Sequence, residues 1–261
     1  MLNKIKSALK LLSIYSKPKE VLNIYQEFQS KKDLNSNLQK RFNDDFNNFN
    51  VLATEKQKAK NEFLYPCLYD NTSTTQIEPT YFYQDAWAFE RIIKNKPLKH
   101  IDIGSQHNFV AHLSKVVDLT MVDIRPLALP MDTIKFIEGS ILELPFVDDS
   151  IDSISSLCVI EHIGLGRYGD PIDPMGSEKA LAEIKRVLKK GGNFYVSVPV
   201  SDKYLTRFNA GVIFEYKQLR EYFEKYYFIS DEKFIAESKL GSKFIPNDHF
   251  GTTALFELIK K

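Results

Sequence analysis

The sequence has little cysteine and almost no net charge, and each of these scarcities excludes a class of protein. Cys67 and Cys158 are the only cysteines among 261 residues. Two thiols are too few for a disulfide framework, so we expect a reducing compartment, the cytoplasm. The 35 basic residues nearly equal the 34 acidic ones. No strong positive field is therefore present to attract nucleic acid, and we expect no nucleic-acid partner.

Long apolar runs are also missing. No segment approaches the roughly 20 apolar residues that span a bilayer, so we predict no transmembrane segment. Residues 1–17 do carry apolar side chains at helical spacing between lysines, namely Leu2, Ile5, Leu9 and Leu12. Such a helix either packs on its own domain or lies on a membrane surface, which leaves peripheral membrane contact open.

Two regions of the chain differ in composition. Residues 1–95 are rich in Lys, Asn, Gln and aromatic residues with helical periodicity, which predicts a helical extension. Its segment Thr80–Ile92 is predicted to pack in the core or to fold over a site as a lid. From 96 to 261 strands and helices alternate, as in "LKHIDIG", "LTMVDIR" and "NFYVSVPV". This alternation predicts one α/β domain with a mostly parallel sheet and helices on both faces.

Further elements of this second domain follow from local signals. We predict a helix over "SEKALAEIKRVLKKGG", capped by Ser177 and ended by Gly191 and Gly192. The segment "SDKYLTRFNAGVIFEY" is predicted to be a long loop. The segments "EKFIAE" and "TALFELIKK" predict an antiparallel hairpin at the sheet edge.

The stretch "HIDIGSQHNFV" predicts a buried strand, a turn and a helix, the opening of a nucleotide-handling fold. The later glycines that a dinucleotide needs near its pyrophosphate are absent. A ligand with a ribose but no phosphate still fits. Asp102 and Asp123 lie at the ends of the first two predicted strands, where open parallel sheets bind ligands. Asp123 follows the glycine turn by about 20 residues and is placed to accept both ribose hydroxyl protons.

Four segments together resemble a class I S-adenosylmethionine-dependent methyltransferase over roughly residues 98–261: "HIDIGS", "TMVDIRP", "GSILELPFVDDSIDSISSLCVIEHIG" and "EIKRVLKKGGNFYVSVPV". The resemblance implies a Rossmann-like fold, with a mostly parallel seven-stranded sheet and a C-terminal antiparallel hairpin. It also implies S-adenosyl-L-methionine as the cofactor. "VIEHIGLGRYGDPIDP" and "RFNAGVIF" are further similar to a poorly characterised bacterial subgroup found with surface-glycan genes.

The resemblance also implies which residues bind the cofactor. Asp102, Gly104 and Ser105 would shape the pocket for the methionine part, Asp123 would hold the ribose, and Ile124 would pack on the adenine. Ser140 stands where the family usually has an aspartate for the adenine amine, so its hydroxyl or the backbone of Ile141 would take that role. The remaining implied contacts are Gln106 and Cys158, the latter as a small buried residue rather than a nucleophile.

The segment after the fourth strand carries the candidate catalytic residues. His162 is a candidate general base, since its ordinary pKa lies near neutrality, or it only shapes the cofactor pocket. Asp170 is the second candidate base. Arg167, Tyr168 and Asn209 are candidate substrate-binding residues, although "GLGRYGDP" is alternatively a simple glycine-rich turn. No spacing of His, Asp and Glu indicates a metal site, so we expect transfer without a metal.

The resemblance to this subgroup, together with these candidate residues, implies O-methylation of a sugar or sugar-linked acceptor, possibly nucleotide-linked, in the biosynthesis of capsule or lipopolysaccharide. Three alternatives stay open: a nitrogen, carboxylate or small-metabolite acceptor; a nicotinamide-dependent oxidoreductase; and a non-catalytic scaffold. The missing glycines argue against the oxidoreductase. The sequence does not indicate an oligomeric state.

Overall fold

The computed structural model of the protein describes residues 18–246 and 251–261. The helix predicted over residues 1–17 lies outside the described residues. The chain divides into two compact units, residues 1–76 and 77–261. In the first unit, a long helix α1 (Pro18–Leu52) is followed by a turn and a short 3₁₀ helix (Asn61–Phe63). The Asn50 side chain fastens that turn by bonding both the N–H and the carbonyl of Ala59, at 2.8 and 3.0 Å.

The second unit contains helix α2 (Pro79–Asn95) and a ten-stranded sheet. The main path through the sheet runs β3-β2-β1-β4-β5-β10-β8-β9. The five strands from β3 to β5 are parallel to one another, and β10 is antiparallel to both β5 and β8. The strands are β1 (Lys99–Ile103), β2 (Asp118–Asp123), β3 (Ile134–Glu138), β4 (Ile151–Leu157), β5 (Leu188–Ser201), β6 (Leu205–Arg207), β7 (Gly211–Glu215), β8 (Tyr227–Ala236), β9 (Lys239–Gly241) and β10 (Thr252–Lys260).

Helices cover both faces of the sheet, so its central strands are buried on both sides. Helices α4 (Gly176–Val187) and α5 (Tyr216–Tyr226) supply one apolar cluster, with Ile184 and Phe223 fully buried. Helices α2 and α3 (His107–Leu113) supply the other, which includes Trp87, Ile92 and Leu113. Strands buried on two faces are apolar along their whole length, which explains the pattern of "NFYVSVPV" in β5.

The α4 helix differs from the prediction at both ends. It begins at Gly176, and the Ser177 hydroxyl donates to the carbonyl of Ile160 at 2.8 Å instead of capping the helix. It ends at Val187 because Leu188 already pairs with Ile151 on β4. Gly191 and Gly192 therefore lie inside β5, where the register to β4 shifts and Gly191 adopts a φ of 77°. The glycines mark an irregularity in the strand rather than a helix end.

The segment predicted as a loop after β5 contains the short hairpin β6–β7, and β7 also pairs in parallel with the end of β5. Asn209 lies exposed in its turn with a φ of 66°, a conformation that asparagine tolerates. The C-terminal antiparallel pair is confirmed, but β10 lies inside the sheet between β5 and β8 rather than at its edge.

Helix α2 packs on the sheet, so the boundary between the units falls after residue 76 and not after 95. Trp87, Ala88 and Ile92 are buried, as core packing of this segment requires. The indole Nε1 of Trp87 donates to Asp231 on β8 at 2.8 Å. Arg91 also lies 3.3 Å from the Asp231 carboxylate, which ties the helix to the antiparallel half of the sheet.

Candidate functional site

The loop after β1 turns at Gly104, whose φ of 66° favours glycine. A Cβ added there would come within 3.2 Å of Val159 and would lie 3.7 Å from Oδ2 of Asp123. Asp102 stabilises this turn, because its carboxylate accepts hydrogen bonds from the backbone N–H of Ser105 (3.0 Å) and from the hydroxyl of Ser155 (2.5 Å). Burial raises the pKa of Asp102 to about 6. Asp102 shapes the loop but does not itself line either of the cavities described below.

Asp123 ends β2 beside this glycine turn. Its Oδ1 accepts the backbone N–H of Arg125 at 2.9 Å, which fixes the carboxylate. Its Oδ2 faces the space that the missing side chain of Gly104 leaves open. The Asp123 side chain is 15 % exposed, so a hydroxyl-bearing ligand can reach it.

A small cavity of about 100 Å³ lies on one side of Asp123. Its walls are mainly apolar and include Val122, Ile124, Ile141, Leu142 and Ile163. Ser140 adds a hydroxyl, which accepts the backbone N–H of Leu142 at 3.1 Å and still has a proton to donate. Ser140, Ile141 and Ile124, for which the resemblance implies contacts to an adenine, thus line one apolar slot.

A larger cleft of about 1050 Å³ adjoins the small cavity and shares six lining residues with it: Gly104, Asp123, Arg125, Cys158, His162 and Tyr168. Ser105 and Gln106 line it together with Thr80 and Tyr81 from the start of α2. The Gln106 side chain occupies the place of the missing glycines by capping α3, accepting from Asn108 N at 2.7 Å and Phe109 N at 3.3 Å. The carbonyl oxygen of the Gln106 side chain thus fixes the loop, and its amide N–H groups remain available to donate to a ligand in the cleft.

Cys158 follows β4 with a φ of 52°, an uncommon conformation for a residue other than glycine. Its backbone N–H donates to Ser197 at 3.0 Å, and its thiol donates to the Gln84 side chain at 3.1 Å. Burial raises the pKa of the thiol well above its usual value. Cys158 is therefore an inert wall of both cavities, which argues against a nucleophile.

Glu161, in the short 3₁₀ helix Ile160–His162, is a site residue that the sequence analysis missed. Its side chain lines the cleft and is buried, and its Oε2 has no hydrogen-bond partner. Burial raises the pKa of this carboxyl to about 8. The signal available in the sequence was a single acidic residue in the apolar segment "CVIEHIG", directly before a candidate base.

His162 lies beside Arg167 and Tyr168, so the structure brings these three predicted residues together. Its Nδ1 is 3.4 Å from Arg167 Nη1, which also donates to the carbonyl of Ala210 at 2.9 Å. The imidazole meets the Tyr168 ring edge-on, with centroids 5.8 Å apart. Burial, followed by the charge of Arg167, lowers the pKa of His162, so the ring is neutral at pH 7 and able to accept a proton.

Asp170 organises the glycine-rich turn before α4. Its carboxylate accepts the backbone N–H groups of Gly164 (2.7 Å), Gly166 (3.3 Å) and Tyr168 (3.3 Å). A Cβ at Gly164 would lie 1.9 Å from the carbonyl of Asp173, so this turn requires glycine there. These contacts support the simple-turn interpretation of "GLGRYGDP" for Asp170, although the residue also lines the small cavity. Within the described part of the chain, Asn209 lines neither cavity.

A buried network of hydrogen-bonded side chains supports the loop from inside the sheet. His100 bonds the hydroxyls of Ser153 (2.7 Å) and Ser155 (2.8 Å) through its two ring nitrogens. Burial lowers the pKa of His100 to about 3, so the ring is neutral. Because Ser155 donates to Asp102, it must accept from His100 Nε2–H, and Ser153 then donates to Nδ1. Each hydrogen bond of this network is therefore donated in the direction of the Asp102 carboxylate.

Among the described residues, no group of three or more His, Cys, Asp and Glu side chains is arranged to hold a metal ion. None of the helices described is long and apolar enough to cross a membrane.

Comparison with known proteins adds a family model and one curated relative. Residues 131–231, less than half of the chain, match the model described as a Caenorhabditis protein of unknown function, DUF268. A presumed methyltransferase of Encephalitozoon cuniculi (strain GB-M1) is 39% identical over 62 residues, which are 24% of this chain. The match spans about a quarter (26%) of the length of that relative.

Solved structures share the fold over about 70% of the chain. The [4+2]-cyclase SpnF matches with a TM-score of 0.54 and 14% identity, covering 74% of this chain and 86% of that one. A chain of the complex between the Haloferax volcanii Trm112 methyltransferase activator and the presumed methyltransferase matches with a TM-score of 0.50 and 18% identity, covering 70% and 90%. The protein therefore has an α/β Rossmann-like methyltransferase fold with a mostly parallel sheet, which confirms the predicted fold.

Proposed function

We propose that the cleft binds S-adenosylmethionine and that the protein is a methyltransferase acting on a small-molecule acceptor. The observation that carries this proposal is the position of Asp123. Its Oδ2 faces the gap above Gly104, between an apolar slot and a larger polar cleft. A ribose on this carboxylate would direct an attached base into the slot and an amino-acid tail into the cleft.

The residues present fit this cofactor. The slot beside Ile124 and Ile141 has the apolar walls that an adenine ring packs against, with Ser140 at its polar edge. Ser105 and Gln106 line the part of the cleft that would receive the methionine part. When bound, the cofactor supplies a methyl group on a positively charged sulfur. The chain's own residues then orient the acceptor and remove its proton.

For the acceptor we propose a sugar or sugar-linked molecule, possibly nucleotide-linked, used in bacterial surface-glycan biosynthesis. His162 would take the proton from an acceptor hydroxyl, since it lines the cleft and its ring is neutral. Arg167 and Tyr168 line the same cleft and would hold the sugar. A nitrogen, a carboxylate or another small metabolite is the alternative acceptor.

Calorimetry on the full chain tests the cofactor proposal. We expect S-adenosylmethionine and S-adenosylhomocysteine to bind with a stoichiometry of one, and NADH to give no heat. Binding of NADH in place of S-adenosylmethionine would support the oxidoreductase, and absence of binding by either would support a non-catalytic scaffold.

We predict that residues 77–261 alone keep the cofactor site. The residues lining both cavities all lie between 78 and 170, inside the second compact unit. The truncated chain should melt cooperatively and bind S-adenosylmethionine within about threefold of the full chain, as measured by calorimetry. A cooperative melt with lost binding would show that residues 1–76 contribute to the site.

A further inference from the structure

The buried Oε2 atom of Glu161, which has no hydrogen-bond partner, is the feature of the cleft that the proposed reaction does not use. A buried polar atom without a hydrogen bond costs about 1–3 kcal/mol, and more when charged, so such atoms are rare in folded proteins. Oε2 of Glu161 is one of three such side-chain atoms among the described residues, and Glu161 is the one of the three residues that lines the cleft. A ligand in the cleft is the natural source of the missing partner.

Burial raises the pKa of Glu161 to about 8, so the carboxyl on its own is largely protonated at pH 7, and a cation beside it is the partner that would stabilise the carboxylate. His162 Nε2 lies 3.9 Å from Glu161 Oε1, but the imidazole is neutral. The charge of Arg167 reaches Glu161, yet its Nη1 already bonds Ala210 and contacts His162. Cys158, whose thiol also bonds the Glu161 carboxyl, and Tyr81 are both uncharged at pH 7, because burial raises the pKa of each.

The surroundings reinforce this preference. Glu78 and Asp123 also line the cleft, so Glu161 is one of three carboxyls on its walls. The Glu78 carboxylate is used in capping α2, where it accepts Tyr81 N at 2.7 Å, and that of Asp123 accepts Arg125 N. Glu161 is thus the carboxyl left to pair with a positively charged group.

We propose that Glu161 is the counter-ion for an ammonium group of the acceptor, and that a hydroxyl on the adjacent carbon faces His162. This inference rests on the proposed methyltransferase function and names its acceptor class: an amino sugar with a free amine, or another vicinal amino alcohol. The 3.9 Å between Glu161 Oε1 and His162 Nε2 places the two groups close enough to contact neighbouring substituents of one molecule.

This arrangement directs the methyl group to oxygen. An ammonium paired with Glu161 has no lone pair and cannot attack. The acceptor hydroxyl oxygen would take the methyl group, the electrons of the methyl–sulfur bond would stay on the sulfur of the cofactor, and the hydroxyl proton would pass to the unprotonated ring nitrogen of His162. Sulfur loses its positive charge and the imidazole gains one, so charge is conserved.

The test compares glucosamine with N-acetylglucosamine, which has the same ring but an uncharged nitrogen. Each is titrated by calorimetry into full-length protein saturated with S-adenosylhomocysteine. We expect the wild type to bind glucosamine at least tenfold more tightly than N-acetylglucosamine. The variants Glu161→Gln and Glu161→Met should reduce that preference to within twofold, while Glu221→Gln, an exposed control on α5, should keep it.

Each result decides the proposal. Equal affinities for the two sugars in the wild type, including no detectable heat from either, would overturn it, as would a preference that persists in both Glu161 variants. Binding of S-adenosylmethionine is measured first on every variant. Its failure in the wild type rejects the methyltransferase proposal, whereas intact cofactor binding without an amine preference rejects the role of Glu161 alone.

The two Glu161 variants also guard against misfolding. Replacing a buried carboxyl that has an unpartnered oxygen with an apolar side chain of similar shape is neutral or stabilising when the carboxyl has no structural role. We therefore expect the melting temperature of Glu161→Met to equal or exceed that of the wild type. A lost amine preference in a variant that melts at or above the wild-type temperature cannot be attributed to unfolding.

Discussion

The substitution Asp123→Ala should weaken S-adenosylmethionine binding at least tenfold. The alanine variant would remove the two charge-assisted hydrogen bonds that we propose between Asp123 and the ribose, each worth roughly 1.5–3 kcal/mol, and a tenfold change needs only about 1.4 kcal/mol. The affinity of Asp123→Asn for S-adenosylmethionine should fall between those of Asp123→Ala and the wild type, because one acceptor oxygen remains. Calorimetry on variants with cooperative melts gives the affinities.

A matched control lies at the other end of the same strand. Asp118 begins β2, and its carboxylate pairs with Lys135 at 2.7 Å on the surface, away from both cavities. Asp118→Ala should therefore leave the affinity for S-adenosylmethionine within twofold of the wild type. Equal affinities for Asp123→Ala and the wild type would show that the ribose does not lie on β2.

The substitution His162→Ala should lower turnover by roughly 100-fold while leaving cofactor affinity within a few fold. Removal of a positioned general base typically costs about 10²- to 10⁴-fold. His112→Ala, an exposed histidine on α3, is the control and should keep full turnover. Formation of S-adenosylhomocysteine is measured against a panel of nucleotide sugars, glycans and free amino sugars.

The pH profile gives a second readout of the same residue. Burial and Arg167 lower the pKa of His162 below its ordinary value of 6.5, so the basic form persists to lower pH than in a free histidine. Turnover should stay level as the pH falls from 8 toward 6.5 and should decline only below that. A decline centred above pH 6.5 would assign the titration to another group.

Asp170→Asn separates the two candidate bases. The variant weakens three charge-assisted bonds to the backbone of the glycine-rich turn, so we expect a lower melting temperature. If Asp170→Asn loses turnover without losing stability and His162→Ala keeps its turnover, the base is Asp170. If neither variant changes turnover, the acceptor needs no base, as for a carboxylate or an amine.

The ends of the parallel strands were predictable because they depend on local pattern. Buried strands read as apolar runs, and the residues that follow them meet at one edge of the sheet. This logic predicts that Gly104, Asp123 and His162 lie near one another, and the structure has all three lining the larger cleft. The choice of Ser140, Ile141 and Ile124 came instead from the resemblance to methyltransferases, and the three residues line one cavity beside Asp123.

The rest depends on tertiary contacts that the pattern does not contain. Ser177 precedes a helical pattern as a capping residue would, but its hydroxyl donates to the backbone carbonyl of Ile160 instead. Asp170 has the chemistry of a base, yet three nearby N–H groups surround its carboxylate. Glu161 was missed because its burial is a property of the fold and not of its sequence neighbours. The same holds for the lack of a hydrogen-bond partner at its Oε2.

The central position of β10 constrains the order in which the sheet assembles. Strand β10 pairs with both β5 and β8. Because β10 lies between them in the sheet, β8 and β9 cannot join the parallel strands until Thr252–Lys260 has been synthesised. A nascent chain that lacks these nine residues presents open edges on β5 and β8 together. On the ribosome, such edges are the places where a chaperone or a neighbouring chain would pair.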